Sequence, residues 1–237
     1  MNSPAQLTLD LSVRQARGRA DFLVTESNAD AVAWLDRWPD WPGPAICLYG
    51  PENCGKSHLA HLWRERAQGR IGARLIQPAD LTGDTVPELA GQGAIAIDYA
   101  DCDMAAGIVS WEPLLHLYNL LAEQGGHLLI AARLPPKQWS IGLPDLRSRL
   151  LAAASVGILP PDDPLLMAVM AKMFADRQVR VNQDVLTYLA ARIERSFLAA
   201  EQAVVQLDKA SLSGNRAITV PLARAALADA NDSEAEG

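Results

Sequence analysis

The eight residues 50–57, Gly-Pro-Glu-Asn-Cys-Gly-Lys-Ser, constrain the fold more than any other feature of the chain. They fit the pattern G-x-x-x-x-G-K-[S/T], in which glycines let the backbone curl so that successive N–H groups converge on a phosphate. An apolar segment at residues 45–49 precedes them, and residues 58–63 follow with helical spacing. A strand, a glycine loop and a helix in this order predict a phosphate-binding loop within an α/β domain.

Each position of this loop has an expected part in binding a nucleotide. We expect Lys56 to reach the β- and γ-phosphates and the Ser57 hydroxyl to ligate magnesium. The alternative is a glycine-bearing turn with a solvated lysine, which the flanking strand and helix disfavour. The predicted nucleotide-binding residues are Gly50, Pro51, Glu52, Asn53, Cys54, Gly55, Lys56, Ser57 and His58.

Short apolar segments recur through the first two thirds of the chain, and stretches with helical spacing, such as residues 111–123, lie between them. This alternation predicts an α/β fold with a five-stranded, mainly parallel sheet. The predicted strands are residues 45–49, 73–76, 94–97, 128–131 and 155–159.

The alternation of strands and helices ends at Pro160 and Pro161. Prolines cannot continue a strand ladder, and Asp162 or Asp163 can cap a following helix, so a domain boundary is expected here. Beyond it, helices are predicted at 164–177, 183–193 and 196–211, and a last helix begins at Pro221 after residues 218–220. The predicted organisation is an N-terminal segment at 1–14, an α/β nucleotide-binding domain at 15–160, a helical domain at 161–228 and a flexible acidic tail at 229–237.

Composition excludes several classes of function. The chain has 237 residues, with 21 basic against 28 acidic side chains and a net charge of −7, and it contains no basic tract, which disfavours direct binding to duplex DNA. Its three cysteines lack metal-ligand spacing, which fits a reducing cytoplasm. No apolar run approaches the roughly 18 residues of a membrane span. We therefore expect a cytoplasmic protein without a membrane partner.

A second nucleotide signature lies at residues 94–98, an apolar strand that ends in Asp98. This is the form of a Walker B element, whose acid holds magnesium directly or through water. Many P-loop ATPases place a second acid at the next position to polarise the attacking water. This chain has Tyr99 there, and a phenol is a poor base at neutral pH. Weak or absent intrinsic ATP hydrolysis is therefore expected.

Five motifs together resemble the AAA+ module of the DnaA replication initiators and, more closely, the Hda/HdaA family of short DnaA paralogues that inactivate the initiator. They are the phosphate loop, the Walker B strand, the stretch 128–130 running into residues 135–137, the sequence GLPDLRSRL at 142–150, and QLDKAS at 206–211. The likeness covers nearly the whole chain. After Leu227 too few residues follow for the DNA-binding domain that completes an initiator, so we expect an Hda-like protein with an AAA+ core and a helical lid.

The N-terminal sequence QLTLDL at residues 6–11 resembles the peptide by which Hda-like proteins dock on the replicative sliding clamp. Gln6 would enter a polar slot, and Leu7, Leu9 and Leu11 would serve as apolar anchors. The alternative is an edge strand whose leucines pack on the core. The resemblance implies DnaA and the clamp, the β subunit of the replicative polymerase, as partners, with DNA reached indirectly through the clamp.

The resemblance assigns catalytic importance to Arg149, which ends the Ser-Arg pair of the GLPDLRSRL motif. In the family this arginine is a finger that is presented to the γ-phosphate of a neighbouring subunit, so Arg149 would act in trans on DnaA. The alternative is that Arg149 pairs with an acid on its own surface. Arg147, two residues earlier, would point elsewhere on a helix.

Three positions depart from the family pattern. Arg133 stands where DnaA-like proteins keep an acidic sensor at the end of a strand, and Tyr99 replaces the second acid. Leu198 stands at the place of the lid arginine, for which Arg195, almost one turn earlier, could substitute if the lid shifts.

These departures remove groups that read or hydrolyse a γ-phosphate, whereas Lys56, Ser57 and Asp98 retain the grip on a diphosphate and its Mg²⁺. The expected ligand is therefore ADP, in preference to ATP, acting as a structural ligand that orders the lid against the core.

Two other functions stay open from the sequence. One is a self-contained ATPase such as a helicase loader of the DnaC type, and the other is a nucleotide-stabilised adaptor that tethers partners to the clamp without stimulating hydrolysis. The sequence also leaves open whether the chain is a monomer or a homodimer.

Overall fold

The computed structural model describes residues 14–15, 23–99, 111–214 and 216–235. The predicted clamp-binding residues Gln6, Leu7, Leu9 and Leu11 lie outside these residues. The described chain groups into two compact units. The α/β unit consists of the described residues of Ser27–Pro161 together with Ser196–Leu198. The helical unit consists of Asp162–Arg195 and the described residues of 199–235, and residues 23–26 group with it.

The strands are β1 (Arg14–Gln15), β2 (Leu23–Val24), β3 (Ala45–Tyr49), β4 (Ala73–Ile76), β5 (Ala94–Tyr99), β6 (His127–Ala132) and β7 (Ala154–Gly157). The helices are α1 (Ala29–Asp36), α2 (Lys56–Gln68), α3 (Val86–Ala90), α4 (Glu112–Gln124), α5 (Pro144–Ala152), α6 (Asp163–Asp176), α7 (Gln183–Ala190), α8 (Phe197–Gly214) and α9 (Val220–Ala235). Short 3-10 turns occur at Pro78–Asp80 and Pro136–Gln138.

The α/β unit contains a five-stranded sheet in the order β4-β5-β6-β3-β7, in which every neighbouring pair is parallel. The predicted α/β fold is confirmed. Its central strands are buried on both faces, as crossover helices require: residues 94–97 of β5 and 128–132 of β6 have no exposed surface. Tyr49 and Tyr99 both pair with Ala132, so β3, β5 and β6 end at the same edge.

The last strand is shorter than its sequence predicts. β7 ends at Gly157, although residues 155–159 carry an apolar pattern. The Leu159 N–H donates to the carbonyl of Ser27 at 3.0 Å, and the Leu159 side chain is 62% exposed. The chain has thus turned away from the sheet before the apolar run ends.

The helical unit has its own core, which fills the space among α6, α7, α8 and α9. The largest contributors are Phe174 and Met170 of α6 with Leu186 and Leu189 of α7, all nearly inaccessible to water. The Asp162 side chain accepts a hydrogen bond from the Leu165 N–H at 2.9 Å, which is the cap expected at the start of α6.

Two features of this unit differ from the sequence-based boundaries. Residues 23–26 group with it, rather than with a domain at 15–160, because β2 pairs with β1 and contacts α6. Helix α9 continues to Ala235, past the expected start of a tail at 229, because this segment is rich in alanine and free of internal proline and glycine. Within the described residues, no helix combines the length and apolarity needed to cross a membrane.

Candidate nucleotide-binding site

The loop between β3 and α2 has the backbone conformation of a phosphate cradle. Asn53 and Gly55 have φ values of 54° and 102°, in the left-handed region, and Gly55 directly precedes the first turn of α2. A side chain at Gly50 would collide with the carbonyl oxygen of Ile158, so this position must be glycine. The curled backbone leads into a helix N-terminus that has no side-chain cap, an arrangement suited to an anion.

Phe197 contacts the same loop. Its N–H donates to the carbonyl of Asn53 at 3.0 Å, and its ring edge lies 3.0 Å from the position that a Cβ at Gly55 would occupy. Any side chain at Gly55 would therefore press on this ring as well as strain the backbone. The role of Phe197 cannot be predicted from the sequence, because a periodic pattern does not reveal a contact with Gly55, 142 residues away along the chain.

Lys56 is fixed against the loop backbone. It is 2% exposed, and its Nζ donates to the carbonyls of Gly50 at 3.0 Å and Pro51 at 2.5 Å. The positive charge therefore lies inside the loop to which a phosphate would bind. Nζ also lies 3.7 Å from the Sγ of Cys54. Burial raises the pKa of the Cys54 thiol, an effect that the nearby ammonium partly offsets, so this cysteine is a packing residue rather than a reactive thiolate.

The predicted magnesium ligands lie at the same edge of the sheet. Ser57 is half-buried in the first turn of α2, and Asp98 is half-buried near the end of β5. Only β6 separates β5 from β3, which places Asp98 roughly 10 Å from the strand that feeds the loop. A hydroxyl and a carboxylate are the oxygen donors that Mg²⁺ prefers, so the donor set fits this ion. His58 is exposed on α2.

Tyr99 points into the core. It is 1% exposed and packs in the main apolar cluster of the α/β unit with Trp111, Trp139 and Leu146. The phenol is therefore unsuited to orient a water molecule at the loop.

Arg133, at the place of the expected acidic sensor, forms an ion pair with the loop. Its Nη1 lies 2.8 Å from the Oε1 of Glu52, and the two side chains are 49% and 53% exposed. From the sequence, Glu52 is expected at the nucleotide site and Arg133 is expected to mark an altered sensor. The structure brings these two residues together.

Arg149 lies in α5, and its side chain is 38% exposed. Its Nε donates to both carboxylate oxygens of Asp145, at 3.1 and 3.2 Å, and its guanidinium carbon lies 5.6 Å from the ring centroid of Tyr118. Arg149 therefore does pair with an acid on its own surface, which is the alternative that the sequence left open. Within the described part of the chain, the two Nη amines of Arg149 have no hydrogen-bond partner. Arg147 is exposed on the same helix.

Arg195 belongs to the helical unit, where its Nη2 lies 2.8 Å from the Oδ1 of Asp163. This oxygen accepts no aligned hydrogen bond, so the contact is an ion pair only. The Arg195 side chain is 58% exposed. Leu198, at the place of the family's lid arginine, is 46% exposed.

Comparison with known proteins finds a family model that matches part of this chain and solved structures that have a similar fold. Residues 163–227 match the family model described as "Hda, lid domain". Domain III of the replication initiation protein DnaA from Thermotoga maritima superimposes with a TM-score of 0.73 at 18% identity, over 88% of this chain and 94% of that one.

Two further structures are similar over a smaller share of their length. AMPPCP-bound DnaA from Aquifex aeolicus gives a TM-score of 0.63 at 16% identity, over 79% of this chain and 63% of that one. The Holliday junction branch migration motor RuvB from Thermotoga maritima gives 0.62 at 16% identity, over 78% and 61%. The chain thus spans slightly less than two thirds of these two proteins.

Proposed function

We propose that this chain is a negative regulator of chromosome replication initiation, because residues 163–227 match an Hda lid-domain model and the fold is similar to that of DnaA domain III. In this proposal the protein binds ADP and the DNA-loaded sliding clamp, and it stimulates ATP hydrolysis by DnaA. Arg149 acts in trans as the arginine finger. DnaA that has hydrolysed its ATP loses initiation activity.

The observation that carries this proposal is the hydrogen bonding of the Arg149 guanidinium. Asp145 binds Nε, which leaves the two Nη amines as the donors that can reach a partner's phosphate. An arginine presents these donors in a rigid planar fork that matches phosphate oxygens. Asp145 and Tyr118 also limit the rotation of a long side chain, which reduces the entropy lost when the finger binds.

The ion pair with Asp145 does not oppose this role energetically. Exposed (i, i+4) pairs on helices contribute only about 0.3–0.5 kcal/mol, whereas arginine fingers accelerate phosphoryl transfer by roughly 10³ to 10⁵. If Arg149 has to leave Asp145 to reach the γ-phosphate of DnaA, the loss is small compared with the gain in the transition state.

ADP is proposed as a resident structural ligand. Bound ADP would supply a polyphosphate that Mg²⁺ can bridge to the protein. Lys56 and the loop amides would hold the phosphates, and Ser57 and Asp98 would hold the metal. The Tyr99 side chain is buried in the core, and a phenol is a poor base at neutral pH, which supports weak intrinsic hydrolysis by the chain itself.

The clamp contact is proposed from the resemblance of residues 6–11 to a clamp-binding peptide. Gln6 would donate and accept hydrogen bonds in a polar slot of the clamp. Leu7, Leu9 and Leu11 would bury apolar surface there, at the cost of ordering a short segment.

The test is hydrolysis of DnaA-bound ATP in the presence of clamp, DNA and variants of this chain. Arg149→Ala should abolish stimulation while ADP binding and clamp binding persist. Arg149→Lys should also fail, because an ammonium keeps the charge but lacks the fork of donors. Arg147→Ala is the matched control and should stimulate normally. Full stimulation by Arg149→Ala would contradict the finger.

One alternative has an observation in its favour. Arg149 pairs with Asp145 on its own helix, and the same pair is expected in a clamp adaptor that has no arginine finger. Such an adaptor would bind the clamp and DnaA without changing the lifetime of DnaA-bound ATP. A self-contained ATPase of the helicase-loader type would instead hydrolyse ATP rapidly on its own, which the burial of Tyr99 disfavours.

A further inference from the structure

Arg133 lies where the phosphate loop begins. It directly follows β6, whose last residue, Ala132, accepts a hydrogen bond from the N–H of Gly50 at 3.3 Å. Ala132 also pairs with the last residue of β3 and with the last residue of β5. The carboxyl ends of parallel strands are the usual position of a ligand site in an α/β sheet. Arg133 is therefore a cation at the edge that carries the nucleotide loop.

The partner of Arg133 is unusual for a phosphate site. Glu52 is itself a residue of the loop, and its Oε1 lies 2.8 Å from Nη1 of Arg133. A carboxylate on a phosphate-binding loop repels the ligand, and it offsets the charge that Lys56 brings to the same loop. Arg133 neutralises this carboxylate, so the loop together with Arg133 has one more positive charge than negative charge.

The pair is easy to break. Both side chains are about half exposed, and exposed ion pairs contribute only about 0–1 kcal/mol. Lys56, in contrast, is buried and already bonded to two loop carbonyls. Of these two cations beside the loop, Arg133 is the one that can change its partner without disturbing the loop backbone.

We propose that Arg133 is a phosphate-binding residue of the nucleotide site and that Glu52 competes with the terminal phosphate of the nucleotide for it. This inference rests on the proposed nucleotide-binding function and adds a determinant of ligand choice. The guanidinium exchanges a carboxylate for a phosphate, both of which fit its planar fork. No proton transfer or covalent step is involved. In bound ADP the phosphate that makes this exchange is the β-phosphate, which a nucleoside monophosphate lacks.

The test is the dissociation constant of ADP and of AMP for the full chain and five variants. Arg133→Ala should weaken ADP binding by at least about tenfold, because a charge-assisted hydrogen bond is lost and Glu52 stays unneutralised. Glu52→Gln should strengthen ADP binding, because the competitor is gone. AMP binding should change much less in both variants.

The double variant Glu52→Gln with Arg133→Ala distinguishes two roles of Arg133. In one it binds the phosphate directly, and in the other it only neutralises the charge of Glu52. If Arg133 binds phosphate, the double variant binds ADP about tenfold or more weakly than Glu52→Gln alone. If Arg133 only neutralises Glu52, the double variant regains wild-type affinity, and the proposal is wrong. An equal loss of ADP and AMP affinity in Arg133→Ala would also overturn it.

Arg74→Ala is the matched control. Arg74 forms a similar exposed pair, with Glu88 at 3.0 Å, on the edge strand β4 away from the loop. This variant removes the same charge and should leave ADP affinity unchanged. Melting temperatures without nucleotide confirm that every variant folds. If wild-type protein binds no ADP, the proposed nucleotide function fails together with this inference; if Lys56→Ala weakens ADP binding and Arg133→Ala does not, only this inference fails.

Discussion

The buried ammonium of Lys56 explains how one side chain can serve both the loop and its ligand. Its Nζ bonds the carbonyls of Gly50 and Pro51, so the cation helps to define the loop conformation before any phosphate binds. A buried charge is tolerated only where polar partners surround it. The loop carbonyls provide that environment, and a bound phosphate would add a countercharge.

Lys56→Ala should weaken ADP binding and remove the stabilisation that ADP confers. A ligand at 100 times its dissociation constant stabilises the folded state by about 2.7 kcal/mol, so wild-type protein should show a clear rise in melting temperature with ADP. Thermal unfolding with and without ADP and magnesium measures this difference. Lys209→Ala, a change of equal charge on α8, should keep the full rise. An unchanged ADP response in Lys56→Ala would place the nucleotide elsewhere.

The side-chain pairs around this loop could not be predicted from the sequence, although the loop itself could. The G-x-x-x-x-G-K-S pattern locates Lys56 and Ser57 because their neighbours in the chain are their neighbours in space. Glu52 and Arg133 are brought together by the insertion of β6 next to β3, and apolar periodicity does not specify the order of strands in a sheet.

Strands and helices were predicted more reliably than contacts, for a physical reason. The bounds of β3 agree with the sequence pattern because this strand lies inside the sheet and its apolar residues are buried up to the half-buried Tyr49. The bounds of β7 and α9 could not be predicted in the same way. The end of β7 depends on a hydrogen bond from Leu159 to Ser27, and the end of α9 depends on helix propensity in a segment where polarity suggested a tail.

Strand β6 begins at a histidine enclosed by aromatic rings. The His127 ring lies 5.7 Å from the ring of Trp38 and 5.6 Å from that of Trp41, centroid to centroid. Its Nε2 lies 3.0 Å from the carbonyl of Pro39, which only accepts, so Nε2 carries the proton of the neutral ring. Burial lowers the pKa of His127, although the hydrogen bond to Pro39 partly offsets this effect.

This histidine should make the protein less stable in mild acid. Its pKa is lower in the folded state than in the unfolded state, where it is near 6.5, so the unfolded chain binds more protons as pH falls. The contribution of His127 is fully present above pH 6.5 and is lost as pH decreases through the folded pKa. Urea unfolding at pH 7.5 and pH 5.5 measures the change in the free energy of unfolding.

His127→Gln should reduce the difference between these two pH values, because glutamine keeps a donor for Pro39 but does not titrate. His116→Gln, at an exposed position on α4, is the control and should leave the difference intact. A His127→Gln protein with undiminished acid sensitivity would assign that sensitivity to other groups.

The two units place the proposed functions on separate parts of the chain. The α/β unit carries the phosphate loop, Asp98 and Arg149, and the helical unit is the part that matches an Hda lid domain. Binding to the clamp is proposed for residues 6–11, which belong to neither the loop nor α5. Loss of one function should therefore be separable from loss of the others.

Replacing Gln6 and Leu7 with alanine should abolish clamp binding with little change in melting temperature. The reason is that a docking peptide contributes to a partner's surface rather than to a core. Clamp binding by surface-immobilised protein and thermal unfolding together measure this. Replacement of Ser3 and Thr8 with alanine is the control, since neither is a proposed anchor. A large drop in melting temperature for the first variant would identify the segment as a structural strand.

The decisive measurement is the lifetime of DnaA-bound ATP, followed as conversion to ADP, with and without this protein and with and without DNA-loaded clamp. We predict that conversion accelerates when the wild-type protein is added and that the acceleration is lost when the loaded clamp is omitted. The protein incubated alone with ATP and magnesium should produce ADP very slowly. If DnaA-bound ATP is hydrolysed at the same rate with and without the protein, the regulatory mechanism proposed for Arg149 is wrong, even if ADP and the clamp both bind.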